Sequence, residues 1–278
     1  VFGDPSLHFL YSAKEKENML DLNSHILTQD EGFIDAVMGP MFSAKTKAIF
    51  DYINEILHIP LRFENNLPIF REVFIFSHVL NIRDKKRYIK TRSMGGKYLK
   101  INATLSDDEI IALRYRNFSP STVIVAEEFQ FVGYDFVNGQ LVERKERIQK
   151  VIETLEFLRE QGHLIICSML DMSFRREPFL ITGPLAAIAN NVHKRTAACS
   201  YPGCKNRAHY SQRLLAPGQD PNNVKNVDTG DAEKYAARCL HHHTKNPEVL
   251  SVDAWEILKS REQIFTDRPS LFMDSPPI

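Results

Sequence analysis

Gly32-Phe33-Ile34-Asp35-Ala36-Val37-Met38-Gly39-Pro40-Met41-Phe42-Ser43-Ala44-Lys45-Thr46 is the stretch that decides the architecture. Gly32 to Met38 is a short apolar-rich run of the kind that forms a strand. Gly39 to Thr46 then fits G-x-x-x-x-G-K-[ST] at every fixed position but one, with Ala44 where the second glycine belongs. A helical pattern follows to about Leu57. Strand, tight loop and helix N-terminus aim backbone N–H groups and a helix dipole at an anion, so this loop reads as a phosphate cradle. Lys45 reaches the β- and γ-phosphates of a nucleotide, and the Thr46 hydroxyl reaches Mg²⁺. If Ala44 needs a positive φ, its Cβ costs roughly 1–2 kcal/mol.

Further along, Glu72 to Phe76 reads as a second strand. Asn81 to Asn102 is basic and irregular and reads as a mobile surface loop, while Leu105 to Arg116 reads as a short helix. Thr122 to Ala126 is a continuous apolar strand of the type buried on both faces. Leu141 to Gln161 reads as one long helix, with Ile148, Val151, Ile152, Leu155 and Leu158 on a single face. Gly162 sits where a C-cap glycine belongs, and His163 to Ser168 is another buried strand. This alternation predicts a parallel sheet flanked by helices. The expected organisation is an N-terminal extension over 1–31, an α/β domain over 32–194, a small zinc module over 195–245 and a tail over 246–278.

Two clusters carry chemistry beyond the phosphate loop. The strand ending at Ala126 runs into Glu127-Glu128, and the C-terminal ends of strands are where ligands bind in open α/β sheets. There Glu127 can hold Mg²⁺ through water and Glu128 can act as a general base on a hydroxyl. Cys199-x4-Cys204 and Cys239-x2-His242 form two ligand pairs for one tetrahedral zinc, with His241 and His243 as alternatives to His242. Four protein ligands leave no open position, so the zinc reads as structural. Cys167, inside a buried strand, reads as core packing.

Lys+Arg and Asp+Glu both number 35, a balance that argues against a protein that coats nucleic acid or an anionic membrane. Val1 to Tyr11 lacks the pattern of a signal peptide, and no run approaches the roughly 18 apolar residues of a membrane span. Clustered cysteines suit a reducing compartment, which makes a cytoplasmic location the expectation.

The order of these parts resembles the type II thymidine kinases over roughly residues 33–245. The motifs are Gly39-Pro40-Met41-Phe42-Ser43, Glu128-x-Gln130-Phe131, Leu170-Asp171-x-x-Phe174-x-x-x-Pro178-Phe179, Thr196-Ala197-x-Cys199, Tyr210-x-x-Arg213 and Tyr235-x-x-x-Cys239. The resemblance implies a P-loop NTPase-like α/β fold with a small zinc-binding lasso module, usually assembled as a homotetramer. It implies transfer of the γ-phosphate of ATP to the 5′-hydroxyl of thymidine, with Mg²⁺ and a structural Zn²⁺. By the same resemblance Glu128 is the base and Arg83 approaches it. Met41, Phe131, Leu170, Phe174, Phe179 and Tyr235 surround the thymidine, and the backbone of Asp228, Thr229 and Gly230 faces the base. Flat apolar walls with a few edge hydrogen bonds are what a nucleobase requires.

The chain departs from the family pattern at Ala44, at Glu127 for Asp, at Asn81 for Asp, at Phe129 for a small residue and at Asp231 for Gly. The first zinc pair is also spaced by four residues rather than two. These departures motivate a second reading, a thymidine kinase-like nucleotide-binding protein with weak or no turnover.

Overall fold

The computed structural model describes residues 32–58, 60–65, 67–81, 88–90, 98–138, 140–225, 227 and 234–266. A six-stranded sheet organises the chain from the phosphate loop to residue 194. Its strands are β1 (Phe33–Met38), β2 (Val73–His78), β3 (Ala103–Leu105), β4 (Val123–Glu127), β5 (Leu164–Met169) and β6 (Asn191–Lys194). They lie in the order β6-β1-β5-β4-β2-β3, and every pairing is parallel. The principal helices are α1 (Lys45–Leu57), α2 (Asp107–Ala112), α3 (Lys145–Glu160), α4 (Thr182–Ile188) and α5 (Val252–Thr266).

Period-two alternation along the strands sorts their side chains into two cores, one on each face. Phe33, Val37, Ile75, Val123, Val125, Leu164 and Ile166 pack with Ile49, Tyr52, Ile53 and Ile56 of α1. Ile34, Ala36, Met38, Phe76, Ile124, Ala126, Ile165 and Cys167 pack on the other face with the apolar stripe of α3. That stripe is the expected set, Ile148, Val151, Ile152, Leu155 and Leu158, all buried. Each such side chain taken from water contributes roughly 1.5–3 kcal/mol, so burial on both faces fixes the sheet between its helices. Gly162, at φ 82, ends α3 as expected: its N–H reaches the Arg159 carbonyl at 2.9 Å. Cys167 is fully buried in the core, also as expected.

Two expectations are corrected. The long helix does not begin at Leu141. Gln140–Glu143 pairs antiparallel with Tyr134–Val137, and α3 starts only at Lys145. The missed signal is Asn138-Gly139, a dipeptide suited to tight hairpins because both residues tolerate positive φ; Asn138 has φ 50. The basic segment from Asn81 to Asn102 is also not wholly irregular, since Tyr88–Lys90 and Tyr98–Lys100 pair as an antiparallel hairpin.

Beyond residue 194 a three-stranded sheet forms from β7 (Tyr210–Leu215), β8 (Tyr235–Arg238) and β9 (Glu248–Val249), with β7 in the middle. A two-residue ladder, Ala197–Ala198 with Arg207–Ala208, lies beside it. Its own core is small, consisting of Ala197, Cys199, Ala208, Ala237 and Cys239. So little apolar area cannot hold a module together by burial alone.

Candidate active site

The phosphate loop leaves β1 at its C-terminal end, where Gly39 has φ 151. A Cβ there would lie 2.5 Å from the Arg195 carbonyl oxygen, so the position admits only glycine. Ala44 has φ 57 and ψ 33 as the N-cap of α1, with no side-chain cap. This is the left-handed conformation that a glycine would adopt without strain, and Ala44 bears the cost. The Ser43 hydroxyl donates to the Pro40 carbonyl at 2.8 Å. The Lys45 ammonium donates to the carbonyls of Gly39 at 3.0 Å and Pro40 at 2.9 Å, folding back along the loop.

Two neighbours outside the motif brace this loop. Arg195 follows β6, which pairs with β1, so its N–H donates to the Met38 carbonyl at 2.8 Å. Its Nε donates to the Ser43 carbonyl at 3.1 Å. The Met41 N–H donates to Ser211 Oγ of β7 at 2.9 Å. Sequence reading missed both residues, because sheet order alone brings Arg195 to the loop and only the folded zinc module brings Ser211.

The acidic pair closes β4. Glu127 is buried and aligned with Ser77 across the β4–β2 pairing. Asn81, in the position of the family's Asp, donates from Nδ2 to Ser77 Oγ at 2.9 Å. Glu128 has φ 55 and ψ 40, a strained backbone for a residue with a side chain and one that persists only where its surroundings fix it. Gln130 is one such fixture. Its Nε2 donates to Glu128 Oε2, while its Oε1 accepts the Leu170 N–H at 3.1 Å. A second fixture is a buried pair: His78 Nδ1 accepts the Leu80 N–H at 3.2 Å, so Nε2 carries the proton to Asp107 Oδ1 at 3.0 Å. Asp107 Oδ2 in turn accepts the Gly133 N–H at 3.0 Å, anchoring the turn that follows Glu128.

The expected nucleoside contacts fall into groups. Phe131 is buried beside His78, with 6.1 Å between ring centroids. Phe174 is buried under the Arg175 guanidinium, and Tyr235 lies under that of Arg213. Phe179 belongs to the core on the α3 face and Leu170 packs against it. Met41 is buried within the phosphate loop. Arg83, Asp228, Thr229 and Gly230 lie outside the described residues.

Cys199, Cys204, Cys239 and His242 converge, with their ligand atoms all within 4.8 Å of one another. Cys204 and Cys239 sulfurs are 3.9 Å apart, and His242 Nδ1 lies 3.7 Å from Cys199 Sγ and 3.3 Å from Cys239 Sγ. A tetrahedral zinc at its usual bond lengths sets about 3.8 Å between sulfurs and about 3.5 Å between sulfur and nitrogen. The donor set therefore fits zinc. Of the three adjacent histidines, His242 is the one in the cluster; His241 is not part of it and His243 is engaged with Arg176. Tyr201 stacks on His242 at 3.9 Å with 2° between planes, and the Cys239 N–H points at Cys199 Sγ at 3.4 Å.

A loop of this geometry at the end of a parallel strand is built to hold phosphate, which makes this a phosphate-loop α/β protein. Its family is specific: the thymidine kinase model matches residues 32–243, and the chain belongs to the thymidine kinase family. It is 26% identical over 212 residues to a thymidine kinase of Thermococcus kodakarensis, covering 76% of this chain and 94% of the relative. It is 30% identical over 218 residues to one of Mycoplasma genitalium, covering 77% and 84%. A third relative, from Mycoplasmoides gallisepticum, is 27% identical over 217 residues, covering 78% and 83%. The family expected from the motifs and the α/β fold are thus borne out. Among the described residues, no helix is long and apolar enough to cross a membrane.

Proposed function

We propose that this chain transfers the γ-phosphate of ATP to the 5′-hydroxyl of thymidine. Family membership supports the reaction class, and one observation carries the assignment of the base: Glu128 in a strained backbone, locked through Gln130 to the Leu170 amide. A base held this way faces the acceptor rather than swinging in solvent. Phosphoryl transfer requires positioning and charge stabilisation more than covalent chemistry, and these residues supply positioning.

In this reading Lys45 exchanges the Gly39 and Pro40 carbonyls for phosphate oxygens when ATP enters, and the loop N–H groups beyond Met41, whose own N–H is held by Ser211, surround them. The buried Glu127 carboxylate and the half-buried Thr46 hydroxyl suit a Mg²⁺ ion, which when bound neutralises charge on the transferred group. Glu128 accepts the proton of the 5′-hydroxyl, and Phe131, Phe174 and Tyr235 supply flat walls for the base. The resemblance adds roles for Arg83 and for the backbone of Asp228 to Gly230, which lie outside the described residues. Zinc holds the module together and takes no part in chemistry. The division at residues 194 and 245, from the change of residue pattern, and a cytoplasmic location, from the clustered cysteines, accompany this reading, as does a homotetramer on the strength of the resemblance.

The test is a phosphoryl-transfer assay with Mg²⁺–ATP and thymidine, comparing the wild-type chain with Lys45→Ala and Glu128→Gln. The expected result is wild-type turnover, its loss in Lys45→Ala and a fall of roughly 100-fold or more in Glu128→Gln at unchanged melting temperature. Full activity in Glu128→Gln removes the base assignment. A wild-type chain that binds both substrates without turnover transfers the conclusion to the weak-turnover reading.

A further inference from the structure

The segment from Asp171 to Phe179 closes on itself. The Phe179 N–H donates to the Asp171 carbonyl at 3.3 Å and the Ser173 N–H to the Glu177 carbonyl at 2.8 Å, with a bridge between Met172 and Pro178. Arg176 stands at its tip with φ 64, a left-handed backbone that a long side chain adopts only under constraint. The constraint lies in the zinc module. Arg176 Nε donates to His243 Nδ1 at 3.0 Å, Nη2 donates to the His243 carbonyl at 3.1 Å, and the guanidinium lies 4.3 Å over the Tyr210 ring. Tyr210 and His243 rings are themselves 5.0 Å apart. His243 directly follows His242 in the chain, so whatever fixes His242 fixes the acceptors of Arg176. At its other end the same segment begins at Leu170, whose amide is held by Gln130.

We infer that Arg176 is a positioning residue that straps the Phe174 segment to the zinc module, so that zinc occupancy sets the affinity for the nucleoside. This rests on the reading of Phe174 as part of the thymidine pocket. Arg176 does not touch the reacting atoms; it holds the wall that does the binding. Two hydrogen bonds and a cation–π contact from one guanidinium make arginine, with its planar fork, the suited residue, and lysine a partial substitute.

The test measures thymidine KM, ATP KM, kcat and zinc content for Arg176→Ala, Arg176→Lys, His243→Phe and Phe174→Ala. Losing a charged hydrogen bond corresponds to roughly a tenfold change or more, so Arg176→Ala is expected to raise thymidine KM about tenfold. ATP KM stays within about twofold, zinc stays at the wild-type level, and Arg176→Lys recovers part of the loss. His243→Phe, which removes the ring acceptor while Arg176 remains, gives a comparable rise and serves if Arg176→Ala does not fold. The double variant is expected to be no worse than the poorer single one, since both break one link. Chelating zinc from the wild type is expected to weaken thymidine binding in calorimetry more than ATP binding. Arg176→Ala with unchanged thymidine KM, beside a Phe174→Ala that raises it, overturns the strap. Unchanged KM in Phe174→Ala overturns the pocket reading and the strap with it.

Discussion

Replacing Ala44 with glycine isolates the strain in the phosphate loop. Ala44 holds φ 57 and ψ 33, caps α1 without a side-chain bond and is exposed, so losing its methyl group removes no buried core packing. A Cβ in that conformation costs roughly 1–2 kcal/mol, which glycine removes. Against this, glycine gives the unfolded chain more freedom, costing about 0.4–1 kcal/mol. Glycine is also the better N-cap, by a small margin. The net expectation is stabilisation of roughly 0.5–1 kcal/mol. For a chain of this size that raises the melting temperature by about 1–4 °C. The assay is thermal unfolding of Ala44→Gly and wild type, without nucleotide and with saturating Mg²⁺–ATP. Both conditions are expected to show the increase, because the strain belongs to the backbone and not to the ligand. A melting temperature that is unchanged or lower in Ala44→Gly refutes the argument, and would mean that surrounding bonds, such as Ala44 carbonyl to Ala48 N–H at 3.0 Å, already compensate the alanine.

Two further expectations follow from the same structure. Cys199→Ser is expected to lower zinc content and reduce the melting temperature by roughly 4 °C or more, since the apolar cluster around the ligands holds only alanines and cysteines; full zinc loading in this variant would remove Cys199 from the ligand set. Burial holds the His163 imidazole below its ordinary value, so on acidification the unfolded chain takes up that proton first: the stability is complete above about pH 6.5 and declines as pH falls toward the lower folded value. His163→Gln is therefore expected to lose less melting temperature than wild type between about pH 7 and 5.5. His243, pushed down to about 4 by burial and by the Arg176 charge, titrates alike in both proteins, and an identical pH slope would clear His163 of the effect.

What was legible in the sequence was what local chemistry dictates. Phe33–Met38, Val123–Glu127 and Leu164–Met169 are strands because continuous apolar runs can be buried on both faces of a parallel sheet. The stripe on α3 and its Gly162 stop could be read residue by residue. The paired spacing of Cys199, Cys204, Cys239 and His242 announced one site, although the choice among three adjacent histidines required the fold, because a turn of one residue decides which ring faces the sulfurs. The start of α3 is ambiguous in the sequence because Leu141 and Val142 fit a helical face as well as an alternating hairpin, and only the Asn138-Gly139 dipeptide favours the hairpin. Arg195, Ser211 and Arg176 carry no local signature at all. Each makes its contacts with a partner far along the chain, at a distance that no motif encodes.

Ser211 and Arg176 also tie the Cys/His module to the phosphate loop and to the Asp171–Phe179 segment. Successive residues of β7 serve different neighbours, because side chains alternate between the faces of a strand. Tyr210 lies under Arg176 of the Asp171–Phe179 segment, Ser211 accepts from Met41 of the phosphate loop, and Gln212 Oε1 accepts the Thr244 N–H just beyond His243. One strand thus touches the phosphate loop, the Asp171–Phe179 segment and the turn that follows His242. Catalysis by positioning needs the phosphate and the hydroxyl held at a fixed separation, and two loops leaving the same sheet do not fix that separation by themselves. A strand in contact with both does, and in the proposed reading a zinc ion on Cys199, Cys204, Cys239 and His242 is what would stiffen it.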